Sequence, residues 1–188
     1  MRIEHGWLDQ ARRLASPNCD ERPDPDDIGL IVVHCISLPP GEFGGDWVDR
    51  LFTNTLPPEA HLYFASIHPL RVSAHVLIRR DGGLVQYVPF HRRAWHAGVS
   101  CFQGRERCND FSIGIELEGT EQTPYTDRQY LQLARVIRCL CNHYPKLTAE
   151  TITGHSDIAP ERKTDPGESF DWRRLNDLLA TDDASETV

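Results

Sequence analysis

Leu30-Ile31-Val32-Val33-His34 decides the class of fold. A strand wetted on one side alternates apolar and polar residues, whereas an unbroken apolar run of this length belongs to a strand covered on both faces. Such a strand lies inside a sheet, with other elements packed above and below it. The run ends in His34, and Pro39-Pro40-Gly41 soon terminates regular structure. His34 has two readings. It is a ligand held rigidly at the end of a buried strand, as a metal site requires, or a histidine satisfied at the rim of the core.

Phe111-Ser112-Ile113-Gly114-Ile115-Glu116-Leu117-Glu118-Gly119 reads as another strand. Alternation puts Ile113, Ile115 and Leu117 on one face and Gly114, Glu116 and Glu118 on the other. A lone carboxylate is costly to bury in so apolar a strand. Glu116 is therefore either a general base beside a metal or one half of a strand-end ion pair. Gly114 next to it leaves room for a ligand or water.

A third segment, Gly154-His155-Ser156-Asp157-Ile158-Ala159-Pro160-Glu161-Arg162-Lys163-Thr164-Asp165-Pro166-Gly167, sets an imidazole, an ammonium and a carboxylate among loop-forming residues. If residues 162 to 166 run extended, Lys163 and Asp165 point to the same side. His155 and Asp165 then supply two ligands of one Zn²⁺, with Lys163 placed to meet a developing negative charge. A catalytic zinc usually has three protein ligands and an open fourth position, and His34 is the candidate third. The same composition also fits a polar surface loop that binds nothing.

The remaining pattern predicts an α/β fold, a mixed central sheet flanked by helices. A short helix is expected near Asp46 to Phe52. Strands over residues 73 to 80 and 84 to 89 flank Asp81-Gly82-Gly83, a hairpin signal. Thr126-Asp127-Arg128-Gln129 is a capping box, opening a long helix whose apolar face is Tyr130, Leu133, Ala134, Ile137, Cys141 and Tyr144 before Pro145 stops it. A last helix near Asp171 to Ala180 carries Trp172, Leu175, Leu178 and Leu179. The Asp20 to Asp27 stretch and the tail from 181 to 188 read as solvated surface. His61, His68 and His75 recur every seven residues, but Pro69 among them disfavours a shared helical face and hence a second metal.

The 188 residues suggest a single domain, with its core over about 28 to 180 and an acidic flexible tail at 181 to 188. Met1-Arg2-Ile3-Glu4-His5-Gly6-Trp7 has no apolar stretch of the kind a signal peptide needs, and no run approaches a membrane span. A cytoplasmic protein without membrane contact is expected. Six cysteines, Cys19, Cys35, Cys101, Cys108, Cys139 and Cys141, show no secreted-scaffold spacing and read as free thiols. A net charge of −8 excludes nucleic acid as an expected partner.

Taken in order, His34 after LIVV, Ala94-Trp95-His96-Ala97-Gly98, Asn109 to Glu116 and the run from Gly154 to Gly167 resemble the zinc N-acetylmuramoyl-L-alanine amidases, which share a fold with phage lysozyme amidases and peptidoglycan recognition proteins. The resemblance covers roughly residues 4 to 180 and is nearest to the cytoplasmic branch acting on 1,6-anhydro-muramyl peptides. It implies one Zn²⁺ per chain on His34, His155 and Asp165, with Glu116 as catalytic carboxylate and Lys163 as oxyanion-stabilising cation. It also implies Arg71 and Arg107 on the stem-peptide carboxylates and Trp95 against the sugar, with Arg71, Arg107 and Lys163 forming a local positive cleft on an acidic body. His96 either contacts substrate or packs beside Trp95. Cys35 departs from the pattern, because an Asn sugar contact is expected there and a thiol hydrogen-bonds poorly.

The implied activity is zinc-dependent hydrolysis of the amide between 1,6-anhydro-N-acetylmuramic acid and L-alanine during cell-wall recycling. That activity limits the muropeptide signal for β-lactamase induction, and no obligate protein partner is implied. Two other classes remain open, a peptidoglycan-binding module without catalysis and a lytic amidase on intact murein.

Overall fold

β-Branched residues such as Ile31, Val32 and Val33 are stiff at χ1 and pack well on a pleated surface. They lie in a strand, Leu30–Ile36, whose first five residues are buried. The computed structural model describes residues 1–181, so the expected tail lies outside the described residues apart from Thr181. Six strands form one sheet in the order Ile152–Gly154, Leu30–Ile36, Ser112–Glu118, Val76–Ile78, Leu84–Gln86 and Arg12–Arg13. The first four are mutually parallel. The Leu84–Gln86 strand runs antiparallel to Val76–Ile78 and parallel to Arg12–Arg13. The sheet is mixed, with the Leu30–Ile36 strand interior to it.

On one face, Ile31, Val33, Ile113, Ile115 and Leu117 pack under the Asp127–His143 helix through Tyr130, Leu133 and Ile137, and under the Trp172–Ala180 helix through Leu175. Each such side chain, fully buried, contributes about 1.5–3 kcal/mol. The long helix opens on the expected capping box: Gln129 N donates to Thr126 Oγ1, and Thr126 N donates to Gln129 Oε1. Such a cap is worth about 1 kcal/mol. On the other face, Leu77 and Val85 pack with Val48, Leu51 and Phe52 of the Trp47–Phe52 helix, and Leu30 and Val32 with Cys108, Phe111 and Ile158.

The hairpin strands are shorter than expected, Val76–Ile78 and Leu84–Gln86, and Gly82 takes φ +85° in the turn, where a Cβ would be strained. The Asp20 to Asp27 stretch is not merely solvated surface. Cys19–Glu21 pairs antiparallel with Arg92–Ala94. Arg22 is buried and donates to the carbonyls of Phe90, Asn109, Asp110 and Ser112. Composition cannot show this, because a buried arginine is stabilised by backbone acceptors distant in sequence.

Candidate active site

Residues in register on parallel strands share a face of the sheet. Glu116 is the register partner of His34, and Gly154 is the partner of Val33, which places His155 just beyond the end of its strand. His34, Glu116 and His155 therefore gather near the carboxyl ends of three adjacent parallel strands, where clefts open in sheets of this kind. His155 begins a single helical turn, His155–Ile158, which Asp157 caps by accepting from Gly154 N at 2.9 Å.

The chain then folds back on that turn. Ser156 N donates to Asp165 O at 2.9 Å and Lys163 N donates to Ala159 O at 3.0 Å. Residues 162 to 166 are thus turn and loop, not the extended run expected from alternation. Local hydrogen bonds to the helical turn set their path, yet Lys163 and Asp165 both face the same cleft.

Three atoms converge there. His34 Nδ1 lies 3.0 Å from His155 Nδ1 and 3.0 Å from Asp165 Oδ2, and His155 Nδ1 lies 3.1 Å from the same oxygen. Tetrahedral ligands with bonds near 2.0–2.1 Å are separated by about 3.3 Å, close to this triangle. The tautomers fit as well. His155 Nε2 faces the Ala97 carbonyl at 3.1 Å, an acceptor only, so it carries the proton and Nδ1 presents a lone pair. Burial lowers the His34 pKa to about 4, against a raising effect of Asp165. Asp165 is held below the usual carboxylate range, because the facing imidazoles outweigh the effect of burial. Neutral imidazoles and an ionised carboxylate are the states a divalent cation requires. Among the described residues, this trio is the cluster of His, Cys, Asp and Glu side chains able to hold a metal ion.

Glu116 and Glu118 share one strand face but meet different environments. Glu118 is satisfied: its Oε1 accepts from Gly44 N at 2.7 Å and its Oε2 from Arg80 N at 3.0 Å, with Arg79 alongside. The strand-end ion pair considered for Glu116 is realised at Glu118 instead. Glu116 is 8% exposed, and its Oε2 is buried without a hydrogen-bond partner among the described residues. Its pKa is pushed well above the ordinary value by burial and by Asp165, and Lys163 opposes them. An orphaned buried carboxylate beside a cation site is the pattern of a proton-transfer group.

A family model for N-acetylmuramoyl-L-alanine amidases matches residues 24–168. The chain belongs to the N-acetylmuramoyl-L-alanine amidase family. This amidase is 65% identical over 179 residues to the 1,6-anhydro-N-acetylmuramyl-L-alanine amidase AmpD of Citrobacter freundii, covering 95% of each chain. A crystal structure of a selenomethionine derivative of AmpD matches it with a TM-score of 0.93 at 65% identity, over 95% of this chain and 99% of that one. The amidase AmiD from Escherichia coli, complexed with its substrate anhydro-N-acetylmuramic acid-L-Ala-D-gamma-Glu-L-Lys, matches with a TM-score of 0.59 at 28% identity, over 94% of this chain and 65% of that one. The mixed sheet flanked by helices is the fold of this family.

The amidase cleft holds about 910 Å³. His34, Glu116, His155, Lys163 and Asp165 lie in its lining, and an apolar wall of Leu38, Phe52, Tyr63, Ile67, Leu70 and Val72 forms another part of it. Trp95 also lines the cleft, and its indole Nε1 donates to Asp20 Oδ1 at 3.1 Å. Asp20 is held in turn by Arg93, at 2.7 and 2.6 Å. No local feature of the sequence ties Asp20 to Trp95, because the two are 75 residues apart.

Cys35 lines the cleft too, but alternation turns its side chain to the sheet face opposite His34, against the core under the long helix. Burial raises its thiol pKa to about 12. Arg71 and Arg107 stand outside the cleft lining. The Arg71 guanidinium donates to the carbonyls of His68, Pro69 and Leu70, and Arg107 pairs with Asp110. The cleft is therefore not the positive one expected. Glu116, Glu121 and Asp165 line it against the cations Arg162 and Lys163.

The sequence-spaced histidines part company: His61 is exposed, while His75 is fully buried, its Nδ1 accepting from Gly114 N at 3.0 Å. The space left by Gly114 is filled by the His96 ring, not by a ligand. A Cβ there would lie 2.5 Å from His96 Cγ.

Proposed function

We propose that this chain is a single-domain zinc amidase that hydrolyses the amide between 1,6-anhydro-N-acetylmuramic acid and L-alanine in soluble muropeptides. We place it in the cytoplasm, in the recycling of cell-wall fragments. The observation that carries the chemistry is the convergence of three acceptor atoms, from His34, His155 and Asp165, within 3.0–3.1 Å beside a buried carboxylate with an unpartnered oxygen. The substrate is supported by the identity to AmpD over nearly the whole chain and by the anhydro-muropeptide in the related AmiD.

His34, His155 and Asp165 would hold the zinc. Such an ion supplies a Lewis acid for the scissile carbonyl and lowers the pKa of a bound water from about 15.7 to about 7. Glu116, placed in register with His34, would take the proton of the attacking water at its free Oε2 and return it to the leaving amine of L-alanine. Burial raises its pKa, so this carboxyl holds a proton more readily than an ordinary glutamate, which suits the return of that proton to the amine. Lys163 would meet the oxyanion that develops on the lactyl carbonyl. Trp95, locked by Asp20, offers the sugar an apolar platform. Arg71 and Arg107 would have to exchange their present partners for the stem-peptide carboxylates.

The test is release of L-Ala-terminated peptide, followed by mass spectrometry, from anhydro-muropeptide and from insoluble sacculi, with and without chelator. The proposal expects chelator-sensitive turnover of the soluble substrate in preference to sacculi. Full turnover by metal-free protein would overturn the zinc reading, and a preference for sacculi would make the chain a wall lysin.

A further inference from the structure

The two imidazoles of the metal trio turn their outer nitrogens to one short segment, Trp95-His96-Ala97-Gly98. His155 Nε2 meets Ala97 O at 3.1 Å, and His34 Nε2 meets His96 Nδ1 at 2.9 Å. His96 Nε2 in turn lies 3.2 Å from Ser112 Oγ. Asn109 clamps the segment: its Oδ1 accepts from His96 N at 3.1 Å and from Ala97 N at 2.8 Å. Arg162 Nη2 adds a bond to the Ala97 carbonyl and another to Val99 O. The His96 ring lies over Gly114, the position on its strand that lacks a side chain to exclude it.

A histidine ligates a metal through one nitrogen only when its proton sits on the other, and the partner of that second nitrogen sets the choice. Ala97 O, having no proton, settles this for His155. His34 is different, because its partner is another imidazole able to carry its proton on either nitrogen. We propose that His96 is a positioning residue for the metal centre, holding its own proton on Nε2 towards Ser112 so that Nδ1 accepts from His34 Nε2–H and leaves the His34 Nδ1 lone pair facing His155 and Asp165. Gly114 is part of the same device. An added Cβ would meet His96 Cγ, Nδ1 and Cδ2 at 2.5, 2.6 and 2.7 Å and drive the ring off His34 while leaving all three ligands in place.

This inference rests on the metal reading of His34, His155 and Asp165, and the two fail separately. Zinc affinity is measured by competition with a chromophoric chelator for the full chain, His96→Leu, His96→Asn and Gly114→Ala. The protonated nitrogen of His96 is read from long-range ¹H–¹⁵N spectra of the zinc-loaded wild type. His96→Leu and Gly114→Ala should each weaken zinc by about 10–100-fold, the usual effect of losing an outer partner of a ligand. His96→Asn, whose Oδ1 falls near the place of Nδ1, should recover most of that loss, which a merely structural role for the ring would not predict. The His96 proton should be on Nε2. Wild-type protein that takes up no zinc would sink the metal reading itself. Zinc binding by His96→Leu as tight as wild type, or a His96 proton on Nδ1 in the loaded wild type, would overturn the positioning role alone. The spectrum decides the matter even if the variants fail to fold.

Discussion

Glu116→Gln separates proton transfer from metal binding and from folding. The substitution keeps the shape of the side chain in an interior strand position that is 8% exposed, so packing against its neighbours is preserved. It replaces a titrating oxygen that has no hydrogen-bond partner among the described residues, so no existing bond to Oε2 is lost. What disappears is the capacity to accept and return a proton, commonly worth about 10²–10⁴ in rate. This corresponds to about 3–5 kcal/mol of barrier. Peptide release at saturating anhydro-muropeptide should fall by that factor, with KM little changed and one zinc per chain retained.

The same variant has a second signature in the metal-free protein. Burial, reinforced by Asp165, raises the Glu116 pKa well above 4.5. A group with a raised folded pKa contributes its stability below the unfolded value, near 4.5, and loses it as pH rises through the folded value. Gln does not titrate, so the Tm of metal-free Glu116→Gln minus that of metal-free wild type should increase from pH 5 to pH 8. Wild-type kcat in the zinc-loaded variant would refute the catalytic role. Loss of zinc would show that Glu116 is a ligand, and a Tm difference flat with pH would show that its carboxyl is not desolvated.

Asp165→Ala should abolish both zinc uptake and turnover, checked by metal analysis alongside the peptide-release assay, because it removes the one anionic ligand. Lys163→Ala should keep the zinc and lower kcat by about 10²–10³, the usual cost of one oxyanion-stabilising donor. An unchanged kcat would remove Lys163 from the chemistry. In metal-free Glu116→Gln, where the opposing titration of Glu116 is removed, His34 is depressed from 6.5 to about 4, so the unfolded chain binds the extra proton between those values and this group lowers stability as the solution is acidified. At about 1.4 kcal/mol for each pH unit this amounts to roughly 3 kcal/mol at most, and denaturant titrations at pH 7 and pH 4 measure it. Cys35→Asn should leave zinc content and kcat unchanged and alter KM for anhydro-muropeptide, and an unchanged KM would show that position 35 does not read the substrate.

Much of the fold is legible in local pattern. The LIVV run, the Thr126 to Gln129 capping box and the apolar spacing of the long helix each depend on side chains and backbone groups within a few residues of one another. They appear where the sequence places them. The place of His34 after the LIVV run is legible too. The roles of two carboxylates on one strand face are not. Glu116 and Glu118 have the same local signal, and only the arrival of Gly44, Arg79 and Arg80 satisfies one and leaves the other free.

The sequence by itself determined which residue types were available for the chemistry, that His34 would end a buried strand and that Glu116 would lie within one, because burial and alternation are local properties of a strand. The tertiary structure alone decided their mutual register. Glu116 lies opposite His34, and His155 follows the partner of Val33. It also decided that the space beside Gly114 belongs to His96. These outcomes depend on hydrogen bonds and packing between segments tens of residues apart, whose energies compete only once the sheet has formed.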